Sequence, residues 1–199
     1  MREWITHCAR GACVESTLFD GTLDATSMAM ATNTQRQDLF EPKLAPAQVE
    51  AVLKRLSKED SKLGERLISA AAAGAVVARQ PADMILRAEA AEAWNSIRPV
   101  IAHHLSSEEN VIVPWLKSLK DFPADLILRT REQHRRLCDL GRIVDAVSFI
   151  TGSDEEVTKA GTALTAFAVC LDDLIDGEER DLFPMIQRCL FGESSGPAS

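Results

Sequence analysis

The feature that most limits how this chain can fold is a repeat of apolar residues at helical spacing. Downstream of Pro46 the repeat consists of Val49, Val52, Leu53, Leu56, Leu63 and Leu67. Residues at these steps lie along one face of an α-helix. Three later stretches show the same period, and none shows the alternation that is typical of a strand. The chain is therefore predicted to be all-α.

Proline and capping residues divide the chain into four predicted helices. They span Pro46 to about residue 78, Pro81 to about Val113, Pro123 to about Ile150, and Ser153 toward Leu190. Ser153 followed three residues later by Glu156 forms a capping box, which marks the start of the fourth helix. Four long helices with short connections predict an up-down-up-down antiparallel four-helix bundle over residues 46–190. Residues 1–45 are predicted to be an irregular extension, and residues 191–199 a frayed C-terminus.

Composition excludes several classes of protein. The formal net charge is −8, which disfavours binding to the phosphates of nucleic acid. No stretch approaches the roughly 20 apolar residues of a membrane span, and the N-terminus does not resemble a secretory signal. The five cysteines are odd in number and scattered, so they imply no disulfide framework. We therefore predict a cytoplasmic protein that binds neither nucleic acid nor membrane.

Each predicted helix carries an ionisable residue on its apolar face, where a simple bundle would be apolar. These residues are Asp60 in the first helix, His104 and Glu108 in the second, His134 in the third and Glu178 in the fourth. His104 and Glu108 are four residues apart and point the same way. Helix lengths bring His104, Glu108, His134 and Glu178 to a common level within roughly a turn or two. Asp60 fits that level less closely.

Two segments of the chain resemble one another at an offset of 70 residues. His103–Glu109 leads to Pro114, and Asp173–Glu179 leads to Pro184. A pair of related helical hairpins would produce such a repeat. Glu108 and Glu178 occupy equivalent places in it, which supports their lying at one level.

Carboxylates buried without a partner cost several kcal/mol. Two carboxylates and two imidazoles at one level therefore indicate either a shared cation, held by both kinds of side chain, or a metal-free cluster of paired groups. The residues alone leave both interpretations open.

The segments around these residues resemble the hemerythrin-like, or HHE cation-binding, family. The similarity covers about residues 46–190 and rests on His104-Leu-Ser-Ser-Glu108-Glu109, on His134 within Arg131–Leu137, and on Glu178–Pro184. The resemblance implies a non-haem iron centre in a four-helix bundle. By carry-over, His104 and His134 would be ligands, and Glu108 and Glu178 would be bridging carboxylates.

The chain departs from the family pattern at three positions. Asp60 stands where the family has a first-helix histidine, and it could still ligate through oxygen. Leu174 replaces the fourth-helix histidine, and Cys138 stands where oxygen carriers have a second third-helix histidine. Too few imidazoles remain for the usual two-iron centre, so O2 carriage is not expected. A mononuclear site of two histidines and carboxylates remains compatible with the sequence.

Three classes of function follow from these residues. The first is a cation-binding or sensing domain, with iron as the expected metal, mononuclear or dinuclear, at Asp60, His104, Glu108, His134 and Glu178. The second is a metal-free bundle that acts as a regulatory or protein-interaction module, with residues 1–45 as its partner-binding segment. The third is a di-metal oxidase or peroxidase-like enzyme, which we favour least because it requires redox turnover. No nucleophile–base triad or phosphate loop is visible to support another enzyme chemistry.

Overall fold

The computed structural model describes residues 45–120 and 122–191. They form six α-helices and two short π-helical segments. In chain order these are α1 (Pro46–Arg79), α2 (Met84–Ser107), a first π segment (Glu108–Ile112), α3 (Val113–Ser118), α4 (Ala124–Asp145), α5 (Asp154–Gly177), a second π segment (Glu178–Leu182) and α6 (Phe183–Phe191). The predicted extension over residues 1–45 and the frayed end over 191–199 lie almost wholly outside the described residues.

The helices form the predicted four-helix bundle. Each π segment joins the helix before it to the short helix after it, so the bundle has four long rods: α1, α2 with α3, α4, and α5 with α6. α1 packs against α2 and α5, and α4 packs against α5. None of the described helices combines the length and the apolar character that crossing a membrane requires.

Local signals place the helix starts as predicted. Pro46 occupies the first turn of α1, where its missing N–H costs no hydrogen bond. The Asp83 carboxylate accepts hydrogen bonds from the backbone N–H groups of Ile85 and Leu86 and caps α2. Ser153 and Glu156 form the predicted capping box at α5. These caps depend on neighbouring residues, which is why the sequence could identify them.

The third helix is shorter than predicted. α4 ends at Asp145 rather than near Ile150. Asp145 accepts hydrogen bonds from the Trp94 indole and from Arg98. The connection that follows is held by Arg87, which donates to the Phe149 and Gly152 carbonyls. Contacts from a distant helix therefore stabilise a loop where local periodicity favoured helix.

α1 and α5 approach closely at a pair of glycines. A Cβ added to Gly74 would lie 2.7 Å from the Gly161 carbonyl oxygen, and one added to Gly161 would lie 2.7 Å from the Gly74 carbonyl oxygen. Beside them, the Thr165 hydroxyl donates to the Ala71 carbonyl across the same interface. Only glycine allows this separation of the two backbones.

The internal repeat is also present in the fold. α2 and α5 each contain 24 residues and begin 70 positions apart, and the π segments keep the same offset. In each copy the residue after the π segment donates its backbone N–H to the carbonyl five residues earlier: Val113 to Glu108, and Phe183 to Glu178. A proline follows at once, and its ring crowds the carbonyl four residues before it. A wider π turn relieves that crowding.

The core consists of two apolar clusters. One includes Trp94, Phe167 and Leu171, with the Trp94 and Phe167 rings meeting edge to face at 5.1 Å between centroids. The other lies toward the start of α1 and includes Leu56 and Ile186. Between the two clusters lies a buried layer of polar side chains, which we call the polar layer: Asp60, His104, Glu108, His134 and Glu178.

Candidate metal centre

The polar layer forms because each rod changes from one apolar cluster to the other at the same height. On α1, Leu56 belongs to one cluster and Leu63 to the other, with Asp60 between them. The corresponding pair on α4 is Ile127 and Leu137, which bracket His134. Asp60 therefore reaches the common level, although helix length alone predicted a looser fit.

His104 lies at the middle of the polar layer and is fully buried. Its Nδ1 atom lies 3.3 Å from Oδ1 of Asp60. Its Nε2 atom lies 3.5 Å from Oε2 of Glu108 and 3.4 Å from Oε2 of Glu178. The two glutamates thus face one side of the imidazole, and Asp60 faces the other.

His134 approaches the layer from α4 and also contacts a carboxylate through each nitrogen. Its Nε2 atom lies 2.9 Å from Oε2 of Glu108. Its Nδ1 atom donates a hydrogen bond of 3.0 Å to Oε1 of Glu109. Glu109 is partly exposed, and its other oxygen lies 3.6 Å from Nε of Arg131. Both histidines therefore present Nε2 toward Glu108 and direct Nδ1 toward a further carboxylate.

The glutamates of the layer stand at the first residue of each π segment. Glu108 opens the first segment and Glu178 opens the second. Both side chains are buried, at 1% and 2% exposure. π-Helical turns inside α-helices occur frequently at functional sites. Here they set the place at which each rod delivers its carboxylate to the core.

Most polar atoms of the layer lack a hydrogen-bond partner. Among the described residues, the buried side-chain N and O atoms without one belong only to the polar layer and to the adjoining Glu59. Both nitrogens of His104 and both oxygens of Glu108, Glu178 and Asp60 are in this group. Buried polar groups are normally paired, so such a concentration requires an explanation. Donor atoms that approach one another without hydrogen-bond alignment are what a shared cation would need.

One nitrogen of His104 and one oxygen each from Glu108 and Glu178 lie within 4.8 Å of one another. Imidazole with carboxylates is a donor set that suits iron, manganese or zinc. The residues present therefore fit a metal ion.

The pKa values of the carboxyl groups in this layer depart from their ordinary values. Burial raises the pKa of Asp60 to about 7, and the carboxylates of Glu108 and Glu179 add to the shift. Burial and then the charge of Glu108 hold the pKa of Glu178 well above its ordinary value. Burial would also raise the pKa of Glu108, but contact with His134 and the charges of both histidines lower it.

Three neighbours of the polar layer lie outside it. His103, next to His104, has a side chain that is 53% exposed, 3.6 Å from a Glu59 oxygen. Leu174, which stands at the place equivalent to His104 in the repeat, is buried at 1% exposure within the larger apolar cluster. Cys138 is half-buried and packs against that cluster.

Glu109 was not among the predicted site residues. In an ideal α-helix it lies about 100° around the axis from Glu108, away from the face that the predicted ligands share. Its place beside Glu108 in the repeated Glu-Glu pair was the available signal. On α4, Arg129 and Arg135 pair with acidic neighbours on their own helix.

A four-helix bundle with histidines and glutamates directed into its core is a recognised setting for metal centres. Comparison with protein families supports the assignment to metal-binding four-helix bundles. The hemerythrin HHE cation-binding domain matches residues 61–186, more than half of the chain, and the chain belongs to this family. Comparisons with curated proteins and with solved structures found no significant match.

Proposed function

We propose that this protein binds one iron ion in the polar layer and serves as a cation-binding or sensing domain. Nε2 of His104, Nε2 of His134 and the carboxylates of Glu108 and Glu178 would hold the ion. Asp60, the fifth predicted ligand, faces Nδ1 of His104, so it would orient that ring from the side opposite the ion. When bound, such an ion supplies a charge that balances the buried carboxylates and a centre that responds to redox state. Membership of a cation-binding family supports a metal ion in this layer. Iron is the metal that the sequence resemblance implies.

The observation that carries the proposal is the set of buried polar atoms that make no hydrogen bond. Nine such atoms belong to Asp60, His104, Glu108, His134 and Glu178. Leaving a buried donor or acceptor unsatisfied costs about 1–3 kcal/mol each, and more for a charged group. A cation would contact several of these atoms at once and offset much of that cost.

The residues favour a single ion over the two-iron centre of oxygen carriers. The polar layer contains two imidazoles, and Leu174 occupies the position that is equivalent to His104 in the repeat. An aliphatic side chain cannot ligate a metal. One half of the layer therefore lacks a nitrogen ligand, which also argues against O2 carriage.

A metal-free module is the second candidate, and one contact favours it. Nε2 of His134 and Oε2 of Glu108 are 2.9 Å apart, which is short enough for an ion pair. If such ion pairs replace the metal, the polar layer would specify how the helices align, and function would depend on a protein partner. That partner and a cytoplasmic location remain predictions.

Metal content by mass spectrometry decides between the candidates. The full chain is loaded with ferrous iron without oxygen, desalted and analysed beside His104→Ala. His103→Ala is the matched control, since its imidazole is the adjacent one and is exposed. We expect about one iron per chain in the wild type and in His103→Ala, and loss in His104→Ala. No retained iron in any of the three proteins would leave the metal-free module as the function.

A further inference from the structure

Glu109 differs from the other carboxylates near the layer because both of its oxygens have partners. One accepts the hydrogen bond from Nδ1 of His134, and the other lies 3.6 Å from Nε of Arg131. Its side chain is 27% exposed, so it lies at the edge of the layer and not within it. Glu109 therefore contacts His134 from the side opposite Glu108.

The two nitrogens of an imidazole have separate roles at a metal site. A neutral histidine carries one N–H, and the hydrogen bond made by that N–H decides which nitrogen keeps a free lone pair. A carboxylate at Nδ1 fixes the proton there, so Nε2 is left to ligate and the ring cannot rotate freely. The bond from His134 to Glu109 has this geometry, with Nε2 directed toward Glu108.

We propose that Glu109 is a positioning residue that holds His134 in the tautomer and orientation needed to ligate the cation. This inference rests on the proposed function, and it adds a residue outside the ligand set. Glu109 acts through His134 and does not contact the ion. Arg131 in turn restrains Glu109 through its second oxygen.

The internal repeat indicates that Glu109 has a specific role and is not simply one acidic residue of the surface. Glu179 is the equivalent residue, 70 positions later, and it is exposed. Within residues 45–120 and 122–191, Glu179 makes no hydrogen bond or ion pair. The two glutamates share sequence context and helix geometry, and only Glu109 faces a buried histidine. Glu179 is therefore a matched control for charge near the layer.

The test measures the affinity of the full chain for Co²⁺ by competition with a chelator, together with the visible spectrum of the bound ion. We expect Glu109→Leu to weaken affinity by about 10- to 100-fold and to change the spectrum, because the orientation of a ligand has changed. Glu109→Gln keeps an oxygen that can accept from Nδ1 and should lose less. Glu179→Leu should stay within about twofold of the wild type.

A double-mutant cycle separates positioning from simple electrostatics. In a His134→Ala background, Glu109→Leu should produce no further loss, since the histidine through which it acts is gone. Thermal unfolding of the metal-free variants shows whether Glu109→Leu is folded, and Glu109→Gln provides the same comparison with a smaller change in packing.

Each outcome has a defined meaning. Equal losses in Glu109→Leu and Glu179→Leu, or an undiminished loss in the His134→Ala background, would overturn the positioning role and leave metal binding in place. Unchanged affinity in Glu109→Leu would do the same. A wild-type chain that binds neither Co²⁺ nor iron would overturn the proposed function together with this inference.

Discussion

Exchanging Glu178 for glutamine should stabilise the metal-free protein while it abolishes metal binding. Glu178 is 2% exposed, neither of its oxygens has a hydrogen-bond partner, and Nε2 of His104 lies 3.4 Å from one of them. The carboxylate of Glu108 adds a like charge nearby. A neutral amide of the same size removes the cost of this buried charge. We expect a gain of about 1–3 kcal/mol in the free energy of unfolding at pH 7.

The gain should depend on pH in a defined direction. Burial holds the pKa of Glu178 above its ordinary value, so the folded state binds the proton more tightly than the unfolded state. The carboxylate therefore costs no stability below its unfolded pKa, near 4.5, and costs progressively more as the pH rises through its folded value. The difference between Glu178→Gln and the wild type should shrink toward pH 4.5 and be largest at neutral pH.

Chemical denaturation with and without added cation measures both the stability of the metal-free protein and the stabilisation that the cation provides. In a parallel thermal melt, a gain of about 1–3 kcal/mol corresponds to a rise in Tm of about 2–12 °C for a domain of this size. A cation at one hundred times its Kd should stabilise the wild type by about 2.7 kcal/mol and leave Glu178→Gln unchanged. Glu179→Gln, at an exposed position, should shift neither value by more than about 0.5 kcal/mol. A metal-free Glu178→Gln protein that is less stable than the wild type would refute the reasoning, because pairing with His104 would then outweigh burial of the charge.

Three further outcomes test the packing and the chemistry. Gly161→Ala should cost about 1–3 kcal/mol of unfolding free energy, because its Cβ would meet the Gly74 carbonyl at 2.7 Å; Gly64→Ala, with open space around it, should gain up to about 1 kcal/mol. Arg87→Ala should cost about 1–3 kcal/mol, since it leaves the Phe149 and Gly152 carbonyls without a donor, and metal affinity should not change. Metal binding near pH 7 should release at least one proton, measured by calorimetry in buffers of different ionisation enthalpy. Burial lowers the pKa of His134, but its contacts with carboxylates prevail and raise that pKa to about 10. The ring therefore carries a proton at pH 7 that it must lose in order to ligate a metal. Equal stability of Gly161→Ala and Gly64→Ala, impaired metal binding in Arg87→Ala, or a heat independent of buffer would contradict the respective argument.

The sequence predicted the helices well because their limits depend on nearby residues. Pro46, Asp83 and the Ser153 capping box act within one turn, and the apolar period needs no tertiary knowledge. The end of α4 was wrong by several residues. It depends on Trp94 and Arg98, which reach Asp145 from another helix.

The five predicted site residues were brought together in one layer, whereas the fine structure of that layer was not foreseen. Spacing from Pro114 and Pro184 placed Glu108 and Glu178 at one level, but the wider π turn that precedes each proline was not predicted. Glu109 was missed because its partner lies on another helix. An ideal α-helix turns it toward solvent, and only the position of α4 brings His134 to it.

Division of the core into two apolar clusters affects how the protein opens. Each apolar cluster stabilises the helical turns that pack around it. In the metal-free protein, amide hydrogen exchange should therefore detect two units with separate opening free energies. An ion bound to side chains from α2, α4 and the second π segment would join the units and make opening more nearly a single cooperative event. The unit that contains α3, α6 and the first turns of α1 is continuous with residues 1–44. Loading of the centre would thereby govern the local opening of the end of the bundle to which that segment is attached.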